Sequence, residues 1–177
     1  MLYTSAEANK LLREKNDYLK KLQGKEHQTS SFTVALGEDL ESVRPEYSYS
    51  EMQAEMEKVM GEIRRIKHAI NVFNSVTVIP EFGMTIDEML VYIPQLNAQK
   101  GRLESLSSML PKQRKEDYSY RSGNTNFVEY VYANYDISLA EKDYKKVSRE
   151  LSKAQTALDV VNSSVKFEIQ GLEDETE

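Results

Sequence analysis

The chain has 177 residues, of which 40% are hydrophobic and 29% are charged, and its formal net charge is −6. This length and balance are typical of a single soluble domain that buries a substantial core. The negative charge argues against nucleic acid as a partner, because binding phosphate requires a positive surface. The absence of cysteine excludes disulfides, thiolate nucleophiles and cysteine-based zinc sites.

The sequence also indicates where the protein works. Its first residues have neither the basic region nor the apolar core of a secretory signal. The longest uncharged runs, 69–80 and 89–99, are shorter than the ~20 residues that a membrane-spanning helix needs. We therefore expect a cytoplasmic protein that does not associate with membranes.

The first predicted helix begins at a capping box formed by Thr4 and Glu7 and ends near Gly24. Its apolar face comprises Ala8, Leu11, Leu12, Tyr18, Leu19 and Leu22. A polar segment, 25–47, follows this helix. Within it, residues 31–36 alternate in polarity and are partly β-branched, which predicts a short strand.

A second helix has the most regular pattern in the chain, with apolar residues at intervals of three and four from 49 to 73. Such a seam is typical of helices that pack along one another, and its length corresponds to about 38 Å. Ser48 and Glu51 form its predicted capping box. The seam residues are Tyr49, Met52, Met56, Val59, Ile63, Ile66, Ile70 and Phe73. We expect Ile63 to be a buried core residue.

Two further helices are predicted. The third begins at a capping box of Thr85 and Glu88, contains Pro94 and stops before Pro111. The fourth begins at a box of Ser138 and Glu141. Its seam comprises Ile137, Ala140, Tyr144, Val147, Leu151, Ala154, Leu158, Val161 and Val165, and Leu151 is predicted to be buried. The last ten residues, 168–177, form a predicted acidic, disordered tail.

Residues 117–135 alternate with a period of two around a turn at 122–125, which predicts a β-hairpin. Its tyrosines are Tyr118, Tyr120, Tyr130, Tyr132 and Tyr135. Tyrosine provides a large contact area with a hydrogen-bonding tip, so this cluster is predicted to be a self-association interface. The alternatives are strand residues that cover the end of the helices, or a site that stacks a sugar or base.

The predicted fold is mainly α: a long antiparallel bundle or coiled coil of about four helices with a small β-hairpin or sheet at one pole. Residues 1–167 form its single domain. In an up-and-down arrangement the 31–36 strand and the hairpin meet at one pole. The other pole gathers the N-terminus, the 75–84 connection and the end of the fourth helix.

A polar cluster of Asn71, Asn74 and Asn162 is predicted at that second pole, either as a binding site or as caps and turns at the helix ends. Neither histidine follows a glutamate at the spacing that two-metal carboxylate bundles use, since Gly24 precedes His27 and Arg65 precedes His68 by three residues. No phosphate-binding loop, dinucleotide fingerprint or nucleophile elbow is present. We therefore predict no catalytic residue, no cofactor and no metal.

The sequence resembles the septicolysin-like family of small bacterial helical proteins. The resemblance lies in the order of four features: residues 70–74, residues 84–90, a hairpin ending at Tyr135 and residues 158–162. The resemblance covers roughly residues 1–165. It implies a bacterial origin and an oligomer, and the family name hints at cytolysis, but it supplies no active site. Pro94 and the tyrosine-rich hairpin depart from the family pattern.

The functional expectation is a non-catalytic helical protein that associates with itself through the helix flank and the tyrosine-rich hairpin. One alternative is a membrane-active, cytolysin-like protein that exposes its apolar seams to lipid. The other is an enzyme that binds a small molecule or metal at the asparagine pole.

Overall fold

The computed structural model describes residues 1–115 and 128–172. This part of the chain is mainly helical with small antiparallel strand pairs, as predicted. Its helices are α1 (Ser5–Thr29), the single turn α2 (Leu40–Val43), α3 (Tyr49–Val76), α4 (Ile86–Ser107) and α5 (Ile137–Ser164). Its strands are β1 (Leu2–Thr4), β2 (Val78–Ile79), β3 (Met84–Thr85), β4 (Lys112–Arg114), β5 (Tyr130–Tyr132) and β6 (Lys166–Glu168).

The chain forms two compact units. The first contains Met1–Val78 and the chain from Asp159 onward, and the second contains Ile79–Leu158. Helix α5 contributes its first 22 residues, 137–158, to the second unit and its remaining residues to the first.

In the first unit α1 and α3 are antiparallel. Glu26 accepts a hydrogen bond from Gln53 (2.7 Å), and nearer the N-terminus Lys15 lies 3.0 Å from Glu62. Helix α1 continues five residues beyond its predicted end, to Thr29. Gly24 is not among the glycines with positive φ, so it does not adopt the left-handed conformation that ends helices.

The first unit also contains a β-ribbon that the sequence pattern does not predict. Strand β1 pairs with β6, with Leu2 opposite Glu168 and Thr4 opposite Lys166. The predicted tail therefore begins too early, since Ile169 is only 1% exposed. Strands β1 and β6 have only three residues each and lie next to helices and an acidic run. Their alternation of polar and apolar residues is therefore too short to predict a strand.

This ribbon confirms part of the predicted topology. Its pairing brings the N-terminus beside the chain that follows α5. The ring of Phe73, near the end of α3, stacks on Phe167 with a centroid distance of 4.4 Å. The N-terminus and the ends of α3 and α5 therefore meet, as the up-and-down arrangement requires.

The seam of α3 is buried at most of its predicted positions. Those positions are Met52, Met56, Val59, Ile66, Ile70 and Phe73. Tyr49 is exposed, and the prediction for Ile63 is wrong because that side chain is only half-buried. The buried residue in that turn is Glu62, which faces Lys15 of α1. An ion pair thus replaces an apolar contact in the middle of the seam.

The predicted strand at 31–36 is also wrong. These residues form no strand, and Leu36 is fully exposed. A strand needs a partner for its backbone hydrogen bonds, and within the described chain β4 and β5 form a two-stranded sheet that does not include 31–36. Local β-propensity without a partner or a buried face does not make a strand.

In the second unit α4 and α5 are antiparallel. The Tyr92 hydroxyl lies 3.5 Å from the Glu150 carboxylate, and Tyr135, just before α5, donates to the Leu106 carbonyl near the end of α4. The buried residues on α4 are Ile86, Met89, Leu96 and Leu103, and those on α5 within this unit are Ala140, Val147, Leu151, Ala154 and Leu158. The prediction for Leu151 is confirmed.

Two of the four predicted capping boxes are present. Thr4 with Glu7, and Thr85 with Glu88, form both hydrogen bonds of the box. The box at Ser48 is wrong, because that side chain makes no capping hydrogen bond. The predicted capping box at Ser138 is wrong as well. Helix α5 starts one residue before Ser138, at Ile137. Asp136 accepts hydrogen bonds from the backbone amides of residues 138 and 139.

These caps predict how stability depends on pH. The pKa of Glu7 and that of Glu88 are lowered because each carboxylate accepts a backbone hydrogen bond, from Thr4 and Thr85 respectively. The pKa of Asp136 is lowered chiefly by the hydroxyl of Ser138. Since each folded pKa lies below its unfolded value, this stabilisation is complete above the unfolded pKa and is lost as the pH falls through the folded one.

We therefore expect the thermal midpoint, followed by circular dichroism, to fall as the pH drops from about 4.5 to about 3. The double change Glu7→Gln and Glu88→Gln should make this fall shallower, because two of the titrating caps are removed. An equal slope in the variant would contradict the assignment.

Candidate interaction surface

Strands β4 and β5 form the hairpin ribbon of the second unit. Their antiparallel register places Lys112 opposite Tyr132, Gln113 opposite Val131 and Arg114 opposite Tyr130. The first arm is therefore the basic run that follows α4, which corrects the predicted start at 117. The predicted first arm from residue 117 and the predicted turn at 122–125 lie within 116–127, outside the described residues.

One face of this ribbon combines aromatic and basic side chains. Alternate residues of a strand point to the same side, and residues opposite each other share a face. Lys112, Arg114, Tyr130 and Tyr132 consequently form one surface, named here the tyrosine face. The Lys112 ammonium lies 4.1 Å from the Tyr130 ring centroid and 5.4 Å from that of Tyr132. This cation–π contact holds the three side chains together.

The tyrosine face is open to solvent. Tyr130 is 47% exposed and Tyr132 is 59% exposed, whereas Val131 on the opposite face is half-buried. Leu110 and Val128, just before the two strands, are also more than half exposed. Large apolar side chains gathered on one exposed element are characteristic of binding surfaces.

The other predicted tyrosines differ from this pair. Tyr135 donates a hydrogen bond of 2.7 Å to the Leu106 carbonyl, and its hydroxyl lies 3.3 Å from the Met109 sulfur. It therefore ties the start of α5 to the end of α4. Tyr118 and Tyr120 lie outside the described residues.

The charges on the ribbon are not equally balanced. Lys115 forms an ion pair with Glu129, and this hydrogen bond lowers the pKa of the Glu129 carboxyl. Arg114 has no ion pair within the described residues and is exposed. The tyrosine face thus carries two cations with no opposing carboxylate among the described residues. Its basic members were missed because the run 112–115 was not recognised as a strand, although Lys112 and Arg114 have the spacing that places them on one face.

The three asparagines of the predicted polar cluster differ in burial. Asn71 is exposed on α3, whereas Asn74 and Asn162, in the last turns of α3 and α5, are half-buried. The amide oxygens of these two are buried, and neither accepts a hydrogen bond within the described chain. Among the described residues no hydrogen bond joins the asparagines to each other, and their role as a site stays a prediction.

Open concavities lie on the surface of the first unit. A cleft of about 630 Å³ is lined by Tyr18, Leu22, Lys25, Glu46, Tyr47, Ser48, Glu51, Met52 and Glu55. A groove of about 540 Å³ beside the stacked Phe73 and Phe167 is lined also by Arg65, His68, Ala69, Val72, Val76, Glu168 and Gln170.

Within residues 1–115 and 128–172, no group of three or more His, Asp or Glu side chains is arranged to hold a metal ion. Over the same residues, every helix is too short or too polar to cross a membrane.

Comparison with known proteins finds a similar fold but gives no function. No family model matches the sequence, and no curated protein matches it. A crystal structure of a functionally unknown conserved protein from Corynebacterium diphtheriae is similar, with a TM-score of 0.59 and 19% identity. The alignment covers 95% of this chain and all of that one. At this identity the similarity shows a shared fold, which extends over nearly the whole length of both chains.

Proposed function

We propose that this is a non-catalytic protein that associates with itself, with a second copy covering the tyrosine face. The observation that carries the proposal is the exposure of Tyr130 and Tyr132 on a ribbon where Lys112 already orders both rings. Aromatic side chains fixed before binding lose little conformational entropy when they are covered. The proposal includes the cytoplasmic location expected from the sequence.

The ribbon itself also favours association. A two-stranded ribbon is marginally stable in water unless a face or an edge is covered. Its outer edges present backbone groups that natural proteins either protect or use for pairing. Contact with a second copy would bury the aromatic rings and could satisfy an edge in the same step.

The membrane-active alternative remains a prediction supported only by the septicolysin-like resemblance. It requires the apolar seams to reach lipid, yet Met56 and Ile66 are buried within the first unit. The helices would have to separate before the protein could insert. Leakage of dye from liposomes at concentrations that leave the fold intact would favour this alternative.

The proposal predicts that Tyr130→Ser with Tyr132→Ser lowers the mass of the particle in solution without loss of helical content. The reason is that the double change removes both rings from the tyrosine face and leaves the helices untouched. Light scattering after size exclusion measures the mass, and circular dichroism at 222 nm measures the helix.

Tyr49→Ser is the matched control, because Tyr49 is 67% exposed but lies at the start of α3 in the first unit. It should leave the mass unchanged. A double variant with the mass of the unmodified protein would contradict the proposal.

A further inference from the structure

We infer that the element of the second copy that covers the tyrosine face is its acidic segment 173–177. This inference rests on the proposed function, because it names the occupant of the same surface. Three observations support it: the positive charge of the tyrosine face, the spacing of that charge along β4 and the acidic composition of the segment.

The tyrosine face offers paired cations. Lys112 and Arg114 are both exposed and lie on the same side of β4, two residues apart. That separation is about 6.6 Å along a strand. Neither cation is opposed by a carboxylate within the described residues. Lys112 is positioned by the two aromatic rings, so an incoming carboxylate would meet an ordered ammonium beside an apolar surface.

The segment 173–177 has the complementary pattern. Four of its five residues are acidic, and three of them alternate: Glu173, Glu175 and Glu177. Glu173 and Glu175 are two residues apart in sequence, as Lys112 and Arg114 are, so the acidic segment repeats the charge spacing of the tyrosine face with the opposite sign.

A second copy is the favoured source because the exchange can be reciprocal. In a two-fold dimer each chain gives one segment and receives one, so every favourable contact occurs twice. Contacts between exposed charges are individually weak and are screened by salt, so doubling them matters. Binding of the segment to the face of its own chain is the competing outcome that the experiment separates.

The test uses two full-length variants with complementary charge reversals. The first, the reversed-face variant, carries Lys112→Glu and Arg114→Glu and keeps the acidic segment. The second, the reversed-segment variant, carries Glu173→Lys, Asp174→Lys and Glu175→Lys and keeps the basic face. Each variant alone places like charges on both sides of the contact. We expect self-association at low salt to weaken at least tenfold in each, by sedimentation equilibrium.

Mixing the two variants restores opposite charges at both contacts of a heterodimer. We expect the mixture to regain the mass of the unmodified protein at about 50 mM salt and to lose it at about 500 mM, where the Debye length is only a few ångströms. The matched control is Arg102→Glu with Lys153→Glu, an equal charge reversal on exposed residues outside the ribbon. This control should associate as the unmodified protein does.

The outcomes separate the inference from the function on which it rests. If reversal of the segment leaves association unchanged while the two serine substitutions abolish it, the tyrosine face is the interface and the segment is not its occupant. If mixing fails to restore the dimer, exchange between copies is ruled out and binding within one chain is favoured. An unmodified protein that is monomeric overturns both the inference and the proposed function.

Discussion

Replacing Ile66 by alanine is expected to lower the free energy of unfolding by about 2–5 kcal/mol. Ile66 is 0% exposed and belongs to a buried cluster with Ala8, Ile70 and Ile169. This cluster joins α1, α3 and the chain after β6, which are distant in sequence. Truncation would therefore leave a cavity between α3 and the two other elements of the cluster, α1 and the chain after β6. Urea denaturation followed by circular dichroism measures the loss.

Ile63→Ala is the matched control for this prediction. Ile63 has the same side chain, lies on the same helix and differs in being only half-buried. We expect it to cost clearly less than Ile66→Ala, because solvent already occupies part of its surroundings. Equal losses for the two variants would mean that the buried cluster around Ile66 is wrongly placed.

The second large effect concerns the buried ion pair between α1 and α3. Lys15 Nζ lies 3.0 Å from Glu62 Oε2, and the two side chains are only 15% and 9% exposed. Lys15→Met keeps the apolar stem of the side chain but removes the ammonium. We expect it to lower the free energy of unfolding by about 3–5 kcal/mol, the cost of leaving a buried carboxylate without this partner.

Replacing both residues of the ion pair shows how much of the stability lost in Lys15→Met comes from leaving a charge buried without its partner. The double change Lys15→Met and Glu62→Leu should recover most of the stability lost in Lys15→Met, because no buried charge remains. The coupling free energy from the complete double-mutant cycle measures the interaction directly. A double variant as unstable as Lys15→Met alone would show that packing at this position, and not charge, determines the loss.

The long helices could be predicted from sequence because their signals are local and repeated. On α5, nearly every predicted seam position from Ala140 to Val161 holds a buried residue. Thr4 and Thr85 were recognised as caps because each is followed at the right spacing by a glutamate that can complete the box. The same spacing at Ser138 was misleading, since Asp136 lies closer to the start of the helix and accepts its amides.

The errors arise where tertiary contacts decide the structure. Glu62 is buried in place of Ile63 because α1 brings Lys15 to it, and no pattern within α3 contains that information. Between Thr4 of β1 and its partner Lys166 of β6 lie 161 residues, so no local pattern can predict this pairing. Residues 31–36 illustrate the reverse case, a segment with β-propensity that pairs with none of the described strands.

The candidate surface was predicted in part. The alternation that includes Tyr130 and Tyr132 correctly indicated the second arm of the hairpin, and both side chains are exposed. The cationic arm was missed because three charged or polar residues carry no hydrophobic period. Only the register of β4 with β5 shows that Lys112 and Arg114 share a face with the tyrosines.

Self-association is the central claim, and the mass of the unmodified protein across a concentration series tests it most directly. Sedimentation equilibrium between about 1 and about 100 μM spans the affinities that ordinary oligomers show. We expect a mass at least twice that of the single chain at the upper end, falling towards the mass of one chain on dilution. A particle with the mass of one chain throughout that range would contradict it.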